Sequence, residues 1–330
     1  MTPLAPHLSA YLRERLPLER GASENTCETY AYAFKLLLTF ASAHRKVRPS
    51  QLRLEDLDAR LVLAFLEHLE AKRHNSPRTR NARLAAIRSF MHFVEHRVPS
   101  AIDQIRRVLA IPSKKTIVPV VAHLSIAEMH ALLDAPDLAT RSGIRDRAML
   151  HLCFAAGLRA SELVMLPTAS VSLHPRPSVR VMGKGRRERI LPLWKETAAD
   201  LRAWLRVRGD TPGVVELFTN ARGLPMSRAG LACVLRKHVT IAAERCVSMS
   251  RKRISPHVLR HTCALAILEA TGDLRKVSLW LGHADMQTTM QYLRADPAEK
   301  FDTLAAVAPM PAGRVRLRAP DRLIASLLGR

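Results

Sequence analysis

The stretch from Ile111 to Val121, Ile-Pro-Ser-Lys-Lys-Thr-Ile-Val-Pro-Val-Val, combines prolines, two lysines and β-branched residues and has no helical period. Its prolines and missing period mark it as a connection rather than part of a helix. The segment reads as an extended, charged strap between two domains. At 330 residues the chain is long enough for two of ordinary size.

Before the strap, the pattern is helical. Ala33, Leu36, Leu37 and Phe40 follow helical spacing, and Leu61, Val62, Phe65, Leu66 and Leu69 mark a second helix beginning near Asp58. A third has Ser76 as N-cap and Pro77 at the first helical position, with Leu84, Ile87, Met91 and Val94 as its apolar stripe. Arg78, Arg80, Arg83 and Arg88 lie on that helix and are read as phosphate contacts, together with Lys114 and Lys115 in the strap.

After the strap, Ser125 and Glu128 form a capping-box pair ahead of an apolar stretch. A helix is expected through Asp146 to Phe154, ending at Gly157. The period then changes: Val179 and Val181, then Ile190, Leu191 and Leu193, flank Gly183-Lys184-Gly185 and predict a β-hairpin. Helical patterns return over Trp194 to Arg206, near Leu231 to Val239, and from Ser255 onward. The expected fold class is mainly α with a small β-hairpin or sheet (α+β).

The charge balance narrows the function. The 52 Lys+Arg against 29 Asp+Glu give a net charge of +23, spread from Arg13 to Arg330, which favours a polyanionic partner. No segment of about 18 apolar residues suits a membrane, and the N-terminus has no secretory pattern. The five cysteines (Cys27, Cys153, Cys233, Cys246 and Cys263) are far apart and include no Cys-x-x-Cys pair. They are expected to be reduced structural thiols in a cytoplasmic protein.

Candidate chemistry gathers on Tyr292, the only tyrosine after Tyr32. A phenol is a poor nucleophile until its proton is taken, but among cations it can attack a phosphodiester. Basic residues precede it in recurring contexts: Arg159 in Gly-Leu-Arg-Ala-Ser-Glu-Leu, Lys184 in Gly-Lys-Gly, His257 and Arg260 in His-Val-Leu-Arg-His, and His283 in Leu-Gly-His. Ser255-Pro256 starts a helix that places His257 and Arg260 on one face near its anion-favouring N-terminus. Gly282 is expected to end a helix in a left-handed turn, and Asp285 to cap the next one, which carries Tyr292. His257 and His261 have the i, i+4 spacing of zinc ligands, but no third ligand is evident.

In order and spacing this set resembles the tyrosine recombinases, the phage-integrase family, strongly over Leu124 to Ala295. The resemblance implies that Arg159 and Arg260 clamp the scissile phosphate and that Lys184 protonates the departing 5′ oxygen. His257 would assist proton transfer, His283 would bond the phosphate, and Tyr292 would form a 3′-phosphotyrosyl link. Glu162 would orient the first arginine box by hydrogen bonding. No metal and no cofactor is implied.

The expected organisation is a helical DNA-binding domain over 1–113, a linker over 114–123, a catalytic domain over 124–300 and a tail over 301–330 that either docks protomers or packs on its own domain. Two such domains would close on DNA as a C-shaped clamp. The expected activity is site-specific DNA recombination by an integrase or mobile-element transposase. Alternatives are type IB topoisomerase-like relaxation, a dimer-resolving recombinase or a non-catalytic DNA-binding module. Expected partners are double-stranded DNA, a homotetramer on two sites and accessory recombinase proteins.

Overall fold

The computed structural model describes residues 2–116, 121–183, 187–209, 213–282, 287–290 and 292. The chain divides into two compact units, Met1–Val118 and Pro119–Arg330. Among the described residues no helix is long and apolar enough to cross a membrane.

The first unit is helical: α1 (Leu4–Ala10) continues into a π-helical stretch (Tyr11–Glu19), followed by α2 (Glu24–Arg45), α3 (Ala59–Ala71), α4 (Pro77–Glu95) and α5 (Ile102–Leu109). Local chemistry sets the starts. The carboxylate of Asp58 accepts from the amide of Leu61 at 2.7 Å, and the Ser76 hydroxyl accepts from Thr79 at 3.3 Å just before Pro77. Tyr11 is the centre of the core, edge-on to Phe34 and Phe90 with centroids 6.1 and 5.4 Å away.

The basic stripe of α4 is engaged within this unit. Arg80 is buried and donates to the Pro112 carbonyl at 2.9 Å, while Arg88 donates to the carbonyl of Ile111. Asn81 pairs with the main chain of Lys114 in both directions, at 2.7 and 3.0 Å. Arg83 donates to the Thr29 carbonyl at 3.2 Å and lies over the Tyr32 ring. Lys114 reaches Glu70 at 2.8 Å. Residues 111–114 are thus tied down on α4, whereas the sequence pattern alone predicts an extended strap. Of the six expected phosphate contacts, Arg78, Lys114 and Lys115 are exposed, Lys114 while paired with Glu70.

The second unit holds α6 (Ile126–Leu133), α7 (Arg141–Ala155), α8 (Ala160–Val164), β1 (Val171–Ser172), β2 (Ser178–Met182), β3 (Glu188–Pro192), α9 (Lys195–Arg208), α10 (Arg228–Arg245), α11 (Pro256–Thr271), α12 (Leu274–Leu281) and α13 (Gln287–Met290). The expected capping box forms: Glu128 N donates to Ser125 Oγ at 3.2 Å, and Ser125 N to Glu128 Oε2 at 2.8 Å. The three strands form one antiparallel sheet, with Val181 opposite Arg189. Val179, Val181 and Leu191 face the core, while Met182 and Ile190 face solvent, the alternation of a half-buried sheet. The short β1 adds a strand that the sequence pattern did not reveal.

Candidate active site

Two helix ends and one helix start build the site. At the C-terminus of α7 the chain turns through Gly157 in the left-handed region (φ +57°), where a Cβ would lie 2.6 Å from Leu281 Cδ2. That turn delivers Arg159 as the residue preceding α8. Its amide donates to Glu162 Oε2 at 2.9 Å and its Nη1 to Glu162 Oε1 at 2.6 Å.

Arg260, on α11, is buried. Its Nη1 donates to the Gly157 carbonyl at 2.5 Å and its Nη2 to the Leu281 carbonyl at 2.7 Å. It therefore joins the ends of α7 and α12, and Nη1 lies 3.8 Å from Glu162 Oε2. Burial, then the charge of Arg159, pulls its guanidinium down to about 10.

The Glu162 carboxylate hydrogen-bonds Arg159, lies 3.8 Å from Arg260 and also meets a third arginine. Arg189, an inward residue of β3, donates Nη2 to Glu162 Oε2 at 2.8 Å and Nη1 to Oε1 at 3.3 Å. Burial pushes the Glu162 carboxyl up. The Arg189 hydrogen bond, the Arg159 amide and the two guanidinium charges outweigh it and hold the group below the usual carboxylate range. Arg189 was absent from the sequence reading; its only signal was sharing a strand face with Leu191, two residues on.

Tyr292 is 1% exposed, packed among Ala264, Leu265, Leu268, Val277 and Leu281. Its hydroxyl lies 2.8 Å from Nδ1 of His261. The resemblance implies proton transfer by His257, which is exposed; the side chain in contact with the phenol is His261, one helical turn further along α11. Burial, then the neighbouring His257 and Arg260 charges, pulls His261 down to about 4, so it is neutral at pH 7.

Lys184 and His283 lie outside the described residues. They follow directly on Gly183 and on Gly282, which ends α12 in the expected left-handed turn (φ +64°). Among the described residues no group of three or more His, Cys, Asp or Glu could hold a metal ion. All five cysteines are free, and burial pushes Cys153 and Cys263 up to about 12.

This arrangement offers an anion two guanidinium groups oriented by one carboxylate, beside a phenol in contact with a neutral imidazole. Known proteins are similar to this chain over most of its length. Residues 123–299 match the phage integrase family, and residues 8–97 match the phage integrase N-terminal SAM-like domain. The chain is 42% identical to the putative integrase/recombinase y4rC of Sinorhizobium fredii, over 98% of this chain and 97% of that protein. It is 34% identical to tyrosine recombinase XerC of Pelobacter propionicus, covering 88% of this chain and 91% of the relative. Its fold is similar to that of XerH site-specific recombinase bound to a palindromic difH substrate, with TM-score 0.69 and 20% identity over 91% of this chain and 84% of that one. The Tn1549 transposon integrase in complex with transposon right end DNA gives TM-score 0.68 and 15% identity, over 90% and 99%. The chain belongs to the phage integrase family, the tyrosine recombinases.

Proposed function

We propose that this protein cuts and rejoins double-stranded DNA at specific sites through a covalent 3′-phosphotyrosyl intermediate at Tyr292. The observation that carries the reading is the pair Arg159 and Arg260, drawn from two separate elements to one buried carboxylate. Their fixed charges neutralise the non-bridging oxygens of the scissile phosphate and the further charge that develops in the transition state. Lys184 protonates the departing 5′ oxygen, His257 assists proton transfer and His283 bonds the phosphate. The ester with Tyr292 conserves the bond energy, so the free 5′ hydroxyl of a partner strand can reverse the step without ATP.

A phenol that is 1% exposed cannot reach a duplex phosphate, so cleavage requires Tyr292 to leave its apolar packing and the His261 contact. Binding draws on the charge of both units, with Arg78 and Lys115 as exposed contacts in the first. Exchange between two sites takes four protomers. The higher identity to the putative integrase/recombinase y4rC than to tyrosine recombinase XerC supports the integrase reading.

The test is covalent trapping on a library of duplexes with a randomised core and one nick, which loses the cleaved end and stalls rejoining. Wild-type protein is expected to give a denaturation-resistant DNA adduct, and Tyr292→Phe none despite retained binding. An adduct from Tyr292→Phe overturns the assignment. Terminal repeats or attachment sites flanking the gene would support the mobile-element role, and their absence would count against it.

A further inference from the structure

The third arginine in the site has no part in the reaction outlined above, and its surroundings give it one. An arginine on the inward face of a strand is costly to bury unless its charge is paired. Arg189 sits there with its side chain 9% exposed, on the same strand face as core residue Leu191. Its fork meets Glu162 with both terminal nitrogens, the geometry that fixes an arginine and a carboxylate most firmly.

The packing is equally specific. A Cβ on Gly183 would lie 3.1 Å from Arg189 Nη1, and one on Gly282 would lie 3.2 Å from its Cδ and Nη1. Two glycine backbones therefore close on this guanidinium, one at the end of β2 and one at the end of α12.

The charges around Glu162 explain why a third cation is needed. Glu162 orients Arg159 through two hydrogen bonds, but a carboxylate beside a phosphate site also repels the phosphodiester and offsets part of the arginine charge. With Arg159 and Arg260 alone, one negative charge stands against two positive ones. With Arg189 added, the carboxylate is matched by a cation of its own, and two guanidinium charges remain for the anion.

We propose that Arg189 is a positioning residue for strand cleavage: it neutralises Glu162, so that this carboxylate holds Arg159 in place without cancelling the charge offered to the scissile phosphate. The inference rests on the proposed function, in which Arg159 and Arg260 receive that phosphate.

The experiment is a double-mutant cycle on the full-length protein, read as single-turnover cleavage of the trapped nicked duplex at saturating protein, with DNA affinity measured alongside. Arg189→Met is expected to slow cleavage by roughly a hundredfold, the order found when one charge-stabilising donor is lost, with affinity nearly unchanged. Adding Glu162→Gln removes the uncompensated charge and is expected to restore about tenfold of that rate. Packing lost with the arginine would not be restored by a neutral residue at position 162.

A double variant no faster than Arg189→Met, or an Arg189→Met protein as fast as wild type, overturns the proposal. If Arg189→Met does not fold, Arg189→Lys carries the test. It keeps the charge and is expected within about tenfold of wild type; a loss as deep as that of Arg159→Ala counts against the idea. Arg159→Ala separates the two levels of inference. If it cleaves normally, the phosphate site itself is wrong; if it is inactive and the Arg189 cycle shows no rescue, only the role of Arg189 fails.

Discussion

His261 Nδ1 and the Tyr292 hydroxyl are 2.8 Å apart, with the two rings nearly edge to face at 60° and centroids 5.5 Å apart. A neutral imidazole with its proton on Nε2 can accept the phenol proton through Nδ1. The contact ties the candidate nucleophile to α11, the helix that also carries Arg260.

The burial of His261 should make the protein acid-sensitive in a defined window. His261 titrates at about 4 when packed and near 6.5 when free. Between these values the unfolded chain binds a proton that the folded one does not, so the stabilisation is complete above 6.5 and is lost as pH falls towards 4. The thermal midpoint should therefore drop between pH 7 and pH 5, and by less in His261→Gln. Identical drops in both proteins would show that this histidine does not set the acid response.

Arg159→Ala and Arg260→Ala should each slow cleavage by about 10²–10³ while changing DNA affinity only a few-fold. Arg260→Ala should also lower folding stability by about 1–3 kcal/mol, because it leaves the buried carbonyls of Gly157 and Leu281 without their donor. Equal losses of affinity and cleavage would make both residues ordinary backbone contacts.

The basic residues on α4 and in the segment 111–115 should separate into two groups. Arg80→Ala is expected to destabilise the first unit by about 1–3 kcal/mol through the lost Pro112 contact, with little effect on the salt slope of binding. Exposed Arg78 and Lys115, changed to alanine, should each reduce that slope by about one and leave stability unchanged. Gel shifts across a salt series and chemical denaturation distinguish the groups.

Gly157→Ala should cost more than Gly272→Ala. Both positions have positive φ, +57° and +59°, but a Cβ meets Leu281 at 2.6 Å in the first and nothing within 4 Å in the second. The shared backbone strain is about 1–2 kcal/mol, and the clash adds to it only at Gly157. Equal melting-point shifts would mean that Leu281 gives way without resistance.

Features set by neighbouring residues were legible in the sequence. The Ser76-Pro77 start, the Ser125 and Glu128 pair, the hairpin and the turn at Gly282 each depend on residues a few positions apart. Features set by long-range pairing were not. The periodicity of α4 identifies a basic face but not that residues 111–114 cover part of it. The spacing of His257 and Arg260 marks one face of α11. That His261 meets a tyrosine 31 residues further on depends on where the later elements pack. Arg189 was missed because an arginine in a hairpin strand ordinarily faces water, and only the three-dimensional position of Glu162 makes the inward face suitable for it.

The guanidinium of Arg260 holds two main-chain carbonyls on two different nitrogens, one at the end of α7 and one at the end of α12. Each of those nitrogens keeps a second N–H, and Nε a further one, so a phosphate bound here shares one guanidinium with the joint between these helix ends. A lysine, with its single nitrogen, could keep the charge but could not span both carbonyls in the same planar fork. Position 260 is therefore constrained as a mechanical part as tightly as it is as a charge.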